Sequence, residues 1–395
     1  MNQRSSSLPS TAPRMQDNSK EFELLCACAG VELAPERVAS IGSWDVARFN
    51  WNEFLRLAEH HGVLPLVARN LIAHARGLPT EVEQSLRSSF EANTRRNLRF
   101  ASELLRITER FETKRLRAVP YKGAVLAESA YGDLALRNFG DLDFLISPDD
   151  FEPAKQALAE LGYWTSKALS PAVERFWLWA GYECSFDSAA GKYLVELQWK
   201  LLPHFYAVDL FVDDLLDGSG RTVVGGQEVS CLSPEDSLLV LCLHAAKHLW
   251  MRLLWVCDIA ETIRTQTVDY SRVALRARAL GVTRILGVSF WLVENVLGRN
   301  LPGPAKQIVA GDSRVPVLGK EFAARLSRNA TYDFESSEYF RFILKLRERR
   351  SDRWRYLWRL MWTPSEGDLA AVRLPEILFP LYRTVRLARV LRKVV

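Results

Sequence analysis

No apolar run in the 395-residue chain approaches the ~18 residues that a membrane-spanning helix needs. The longest, residues 285–293 around Trp291, is interrupted by Gly and Ser, so no transmembrane helix is expected. The opening MNQRSSSLPSTAPRMQDNSK has no apolar h-region and is rich in Ser, Pro and Asn. That excludes a secretory signal and predicts a disordered tail over residues 1–19 of a cytoplasmic protein. Cysteine is scarce too: six scattered residues and no Cys-x2-Cys pair exclude a disulfide framework and offer no start for a zinc site. Cys26, Cys184, Cys231, Cys242 and Cys257 sit among apolar neighbours and read as small buried hydrophobes of a reducing compartment. The close pair Cys26 and Cys28 has no second pair or histidine beside it. No Gly-x4-Gly-Lys-Ser/Thr occurs, which argues against a P-loop phosphotransferase.

What is present is the balance of a folded chain: 48% hydrophobic and 25% charged residues, long enough for roughly two or three domains. The net charge of +5 is unevenly spread. Residues 341–395 hold 14 Lys/Arg against five acids, or +9, leaving −4 on the remainder.

Patterning divides the chain after the tail. Residues 20–116 read as a helical region: Trp51, Phe54, Leu55 and Ala58 share one helix face, His61-Gly62-Val63-Leu64-Pro65 is a stop and restart, and a long helix runs from about Glu81 through Phe111. Residues 117–230 change character. Strands are predicted over 117–121, 141–146 and 192–200 and helices over 123–130 and 151–162, a small α/β unit, with a turn at Gly225-Gly226. Residues 231–395 return to helical patterning, opened by Ser233-Pro234-Glu235-Asp236, which has an N-cap Ser, Pro at the first helical position and acids in the first turn. The expected class is α+β, a small mixed-sheet core flanked by helical regions.

Residues two apart in a strand share a face, so Asp141 and Asp143 project together while Leu142, Phe144 and Ile146 form the buried side. Two carboxylates on one face repel unless a cation sits between them, and oxygen ligands at that spacing suit Mg2+. The plainer alternative is an edge strand with solvated acids. Lys122-Gly123 stands where a strand meets a helix, a place that suits an anion and a close approach of phosphate to the backbone. Arg137 can reach the same mouth as a phosphate fork, or form a salt bridge to Asp133 or Asp141. In residues 192–200, Tyr193, Val195, Leu197 and Trp199 face one way, leaving Glu196 with Gln198 and Lys200 on the other. If that strand lies beside the Asp141/Asp143 strand, three carboxylates converge.

Lys-Gly, then Tyr-x-Asp-x-x-x-Arg, then Gly-Asp-Leu-Asp-Phe-Leu-Ile, with the later Val-Glu-Leu-Gln-Trp, resembles the uncharacterised nucleotidyltransferases of the DNA polymerase β-type nucleotidyltransferase superfamily. Trp51 to Val63, the His244-Ala-Ala-Lys-His248 stretch with Trp255 and Asp258, and the stretch from Leu374 to Leu387 resemble other parts of that family. The resemblance implies a Mg2+-dependent (or Mn2+-dependent) enzyme that moves a nucleoside monophosphate from an NTP, ATP by expectation, onto an acceptor: a small metabolite, a natural product or a protein. Asp141 and Asp143 would hold metal, and Glu196 would complete the triad as a further ligand or as the base for the acceptor hydroxyl. Gly123 would lie under the phosphates. Two departures stand out: Ala124 replaces the Ser that commonly follows the Gly, and 18 positions separate Gly123 from Asp141. Lys122 or Arg137 would then have to supply the missing phosphate contact. The contrasting reading is a catalytically inactive scaffold or regulator that binds nucleotide or another anion.

His244, Lys247 and His248 lie one turn apart, and Met251, Trp255 and Asp258 join them if the helix runs on unbroken. Lys247 could pair with a β- or γ-phosphate while the histidines shape the nucleotide pocket. The alternative is a pair of interior histidines at a helix interface, and a zinc site lacks a third ligand. At the C-terminus Arg383, Arg386, Arg389 and Lys393 recur every three or four residues, as do Trp354, Trp358 and Trp362. This stretch reads either as a solvated face with packed aromatics or as a surface for an anionic partner: the acceptor, an RNA or a membrane surface.

Overall fold

The structure is a computed structural model that describes residues 19–44, 49–165, 171–330, 333, 336–372 and 374–394. The tail expected over 1–19 lies outside the described residues except for Ser19, which opens the helix Ser19–Cys28. Five strands form one mixed sheet: β1 (Ala118–Pro120), β2 (Leu142–Ile146), β3 (Tyr163–Trp164), β4 (Glu183–Ser188) and β5 (Leu194–Gln198). Their order is β1-β2-β5-β4-β3. Only the central pair, β2 with β5, is parallel; β1, β4 and β3 join antiparallel. A separate hairpin of β6 (Gly220–Val224) and β7 (Gln227–Cys231) turns at Gly225-Gly226, both with positive φ. The other elements among the described residues are helices, giving an α+β protein. No helix among the described residues is long and apolar enough to cross a membrane.

The sheet is sandwiched because β2 is apolar on both sides. On one face Leu142, Phe144 and Ile146 pack with Val195, Leu197 and Trp199 of the β5 segment against Phe100, Leu104, Ile107 and Phe111 from the second half of the long helix Thr80–Thr113. On the other face Leu145, together with Tyr121 and Leu126, joins the larger cluster built by the remaining helices. Asp143 shares that second face, so the candidate site lies at the seam between the sheet and the helical body.

The stop and restart at His61-Gly62 is present as the helices Trp51–His60 and Leu64–His74. The second helical region departs from expectation at one point. The helix Pro234–Lys247, capped by the Ser233 side chain on the Asp236 amide, does not run on to Asp258. Leu249 and Trp250 both take left-handed backbone conformations, φ 51° and 50°. Such conformations cost roughly 1–2 kcal/mol per non-glycine residue and hold only where packing dictates them. Here Trp250 is fully buried, its indole Nε1 donates to Ser289 Oγ at 3.1 Å, and its amide donates to the Ala245 carbonyl at 2.8 Å. A separate helix, Leu253–Thr265, follows the turn.

Candidate active site

Parallel pairing of β2 with β5 sets Asp143 directly opposite Glu196. Cross-strand partners share a face, so both carboxylates point into the seam, and Asp141 reaches the same place from the residue before β2. Gln198, two residues beyond Glu196 on the same face, ties them together. Its Nε2 donates to Asp143 Oδ1 at 3.1 Å and to Glu196 Oε2 at 3.0 Å, while its Oε1 accepts from the Tyr121 hydroxyl at 2.6 Å. Lys122 closes the group, its Nζ 2.7 Å from Asp143 Oδ1 with both side chains buried.

The charges do not balance. The charge of Asp143 beside it, reinforced by burial, raises the Asp141 carboxyl above the ordinary carboxylate range. Burial raises Asp143 and Glu196, with Glu196 adding to the former and Glu183 to the latter, despite the opposing pull of Lys122. An all-oxygen donor set that retains excess negative charge fits a hard divalent cation, which needs only one or two carboxylates when water and substrate phosphates complete its shell. As the side chains stand, no group of three His, Cys, Asp or Glu among the described residues is gathered closely enough to hold a metal ion. Lys122 and the Gln198 amide occupy the places between the acids.

Gly123 sits where the backbone demands glycine. Its φ is +54°, and a Cβ there would stand 3.3 Å from the Asp141 carbonyl oxygen. The strand-to-helix turn is thereby pressed directly against the start of β2, which brings Lys122 onto Asp143.

Arg137 is committed elsewhere. Its Nε and Nη2 donate to the two carboxylate oxygens of Asp258 at 2.8 and 2.9 Å, and the Tyr131 hydroxyl donates to the same carboxylate at 2.6 Å. Neither expected ion-pair partner is used, since Asp133 instead accepts from the Ala135 amide. Asp258, expected to extend the face of His244 and His248, thus anchors the Asp141 loop to the helix Leu253–Thr265.

His244, Lys247 and His248 do border the site. The two imidazoles stand 4.8 Å apart, and His248 lies at 30° to the Trp255 ring, also at 4.8 Å. Burial holds both histidines well below the usual imidazole range, helped by the charges of Lys122 and Lys247, so they are neutral at pH 7. Lys247 Nζ lies 4.5 Å from the centre of the Tyr182 ring. Burial lowers its pKa, while Glu183, Glu196 and Asp143 pull the other way.

Several members of the site were not singled out from sequence. Gln198 was readable, being on the Glu196 face, and Tyr121 adjoins Lys122. Glu183 and Tyr182 were not, because their place depends on the β4–β5 register, which sets Glu183 opposite Gln198. The basic C-terminus is also more internal than its composition implies. Arg386 is buried, donating through Nε to the Leu360 carbonyl at 3.1 Å and through Nη1 to Ser365 Oγ at 3.2 Å, and Arg389 donates to Asp368. Arg355 and Arg359 pair with Asp209. Arg386 and Arg389 are therefore not a free anion-binding stripe. The Lys393 side chain lies outside the described residues.

No curated protein matches the chain. A family model described as "uncharacterised nucleotidyltransferase" matches residues 47–298, a span that holds Lys122, Gly123, Arg137, Asp141, Asp143, Glu196, His244, Lys247 and His248 and stops short of the basic C-terminal helices. On that match, with the acidic strands and the His-Ala-Ala-Lys-His helix both inside it, the chain belongs to this uncharacterised nucleotidyltransferase family.

Proposed function

We propose that the chain is a Mg2+- or Mn2+-dependent nucleotidyltransferase that uses an NTP, with ATP the nucleotide to test first, and passes its nucleoside monophosphate to a hydroxyl-bearing acceptor with release of pyrophosphate. The observation that carries this reading is the direct pairing of Asp143 with Glu196 beside Asp141, three carboxyls all held above their ordinary range on one face.

Asp141 and Asp143 are the residues that would hold a divalent cation, with Glu196 at its edge. A bound cation of this kind supplies charge stabilisation to the attacking and leaving oxygens of in-line displacement at the α-phosphorus. Lys122 pairs with Asp143 and is placed to shift its ammonium to nucleotide phosphate. Glu196, raised by burial, is suited to take the acceptor hydroxyl proton. Gln198 and Tyr121 fix the separation of the two strand carboxylates, which is the positioning that phosphoryl transfer mostly requires. Lys247 and the neutral His244/His248/Trp255 stack form a cationic and aromatic wall for the phosphate tail and base. A cytoplasmic site of action is part of this reading, resting on the scarcity and scatter of the six cysteines in the sequence.

The second reading, a nucleotide-binding scaffold without catalysis, draws on the Lys122–Asp143 ion pair, which satisfies Asp143 without metal. The deciding experiment incubates purified protein with each α-labelled NTP, with and without Mg2+, and with a lysate separated into protein, RNA and small molecules. Metal-dependent label transfer that is lost in Asp143→Asn supports the enzyme. Nucleotide binding indifferent to metal, with no transfer, supports the scaffold.

A further inference from the structure

The Asp143 oxygen that a cation would need is already taken. Its Oδ1 accepts from the Lys122 ammonium at 2.7 Å and from Gln198 Nε2 at 3.1 Å, and the two charged side chains are buried. The Gln198 carboxamide cannot turn its oxygen toward a cation without giving up a bond. Tyr121 donates to that oxygen, Oε1, at 2.6 Å, which keeps the amide hydrogens aimed at Asp143 and Glu196. Lys122 is hemmed in as well: its Nζ lies 5.0 Å from the centre of the Tyr121 ring. Burial alone would lower the Lys122 pKa, but the charges of Asp143, Tyr121 and Asp141 outweigh it and hold the group well above ordinary lysine. The ammonium therefore stays charged at any working pH. Both groups that touch Oδ1 present positive charge or a donor to the place where a divalent cation would bind.

We propose that Lys122 is a latch: it keeps a divalent cation off Asp143 until the phosphates of a nucleotide draw its ammonium away, so that metal enters with the NTP and not before it. The proposal rests on the nucleotidyltransferase reading and adds an order of binding to it. Its basis is competition for one oxygen. A divalent cation on Asp143 Oδ1 would stand a few ångströms from an ammonium bonded to the same atom, in a buried setting that screens like charges poorly. One of the two must leave. An ammonium taken from a buried pair with no new anion to meet it costs about a hundredfold or more in the equilibrium, and metal alone has to overcome that penalty. Phosphate oxygens remove it by giving Lys122 a second partner. The latch is distinct from simple chelation, in which a triphosphate carries its own metal into the site. Chelation leaves the affinity for metal alone untouched, whereas the latch lowers it.

The test is therefore the binding of Mn2+ alone to the full chain, read as free Mn2+ by electron paramagnetic resonance and as a melting shift. Lys122→Met is expected to bind Mn2+ without nucleotide at least about tenfold more tightly than wild type, because the competing charge is gone. Adding Asp143→Asn should abolish that gain, which places it at this carboxylate. Wild type should show a melting shift with Mn2+ and α,β-methylene-ATP together that far exceeds its shift with Mn2+ alone. Lys122→Gln keeps a donor for Asp143 without the charge, and it takes the place of Lys122→Met if that variant melts early. Equal affinity for Mn2+ alone in wild type and both Lys122 variants, or a gain that survives Asp143→Asn, overturns the latch and leaves nucleotidyl transfer to be judged by labelled NTP. Failure of every one of these proteins to bind Mn2+, with or without nucleotide, overturns the metal-dependent reading and the latch with it.

Discussion

Asp143 and Glu196 face each other across the one parallel strand pair of the sheet, and a single amide, that of Gln198, donates to both. The Tyr121 hydroxyl holds that amide from behind. Removing this hydroxyl therefore acts on the carboxylates without touching them. Tyr121→Phe is expected to cost about 1 kcal/mol of stability, the worth of one hydrogen bond left half unmade. It should weaken Mn2+-dependent NTP binding several-fold, whereas nucleotide binding without metal is unchanged. Titration of free Mn2+ by electron paramagnetic resonance, with and without ATP, separates the two. Equal Mn2+ affinity in wild type and variant would show that the clamp plays no part in positioning.

The two aspartates should respond differently to neutralisation. Asp141 is raised chiefly by repulsion from Asp143, so Asp141→Asn relieves that repulsion and should raise the melting temperature of the metal-free protein. Asp143 is the ion-pair partner of buried Lys122, so Asp143→Asn strands an ammonium and should cost about 3 kcal/mol. Both variants lose metal-coupled nucleotide binding. Calorimetric melts with and without Mg2+ and ATP read all of this, and stabilisation by Asp143→Asn is the result that contradicts the assignment.

Raised carboxyl pKa values also fix a pH dependence. Asp141 and Glu196, neither of them the direct ion-pair partner of Lys122, bind protons more tightly folded than unfolded, so the folded state holds more protons in the window between the ordinary and the raised values. Their contribution to stability is best below the ordinary carboxylate range, about pH 4, and falls as pH rises through that window. A divalent cation needs them ionised. Its stabilising effect is therefore expected to grow over the same window, opposite in sign to the metal-free trend. Melting temperatures measured against pH, with and without Mn2+, check both slopes, and Glu196→Gln should flatten each.

The acidic strands were legible because their signal is local. Alternation in residues 141–146 and 192–200 fixes which side chains share a face, and only the adjacency of the two strands had to be supplied by the fold. The fate of Arg137 was not legible, since its partner Asp258 lies 121 residues away and is brought in by a helix that had first to be redirected. That redirection at Leu249 and Trp250 uses neither Gly nor Pro. It is dictated by burial of the Trp250 ring, and no local propensity announces it. The C-terminal arginines misled for a related reason: spacing every three or four residues describes a helix face but does not say whether it meets solvent or a neighbouring helix.

Arg137 is the sharpest case in which a structural and a phosphate-binding role can be told apart. Arg137→Met leaves Asp258 buried without its partner, a change worth about 3–5 kcal/mol. Adding Asp258→Leu removes the stranded charge as well, and the double variant should recover most of that loss. Its nucleotide affinity then decides: a value close to wild type assigns Arg137 to the scaffold, whereas a tenfold loss in a well-folded double variant restores it as a phosphate ligand.

Arg386 invites the same reasoning at the far end of the chain. Although it belongs to the basic stretch, it is only 3% exposed and donates to the Leu360 carbonyl and to Ser365, with Asp368 nearby. Arg386→Gln cannot span both acceptors, so it should leave the Leu360 carbonyl or the Ser365–Asp368 turn unsatisfied and cost about 2 kcal/mol. Salt screens this loss only weakly, because the group is buried. Arg392→Gln, on the exposed face of the same helix, should change stability by less than about 0.5 kcal/mol. Chemical denaturation of the two variants at low and high salt makes the comparison. Equal, salt-sensitive effects of the two substitutions would return Arg386 to the solvent-facing stripe that its spacing first suggested.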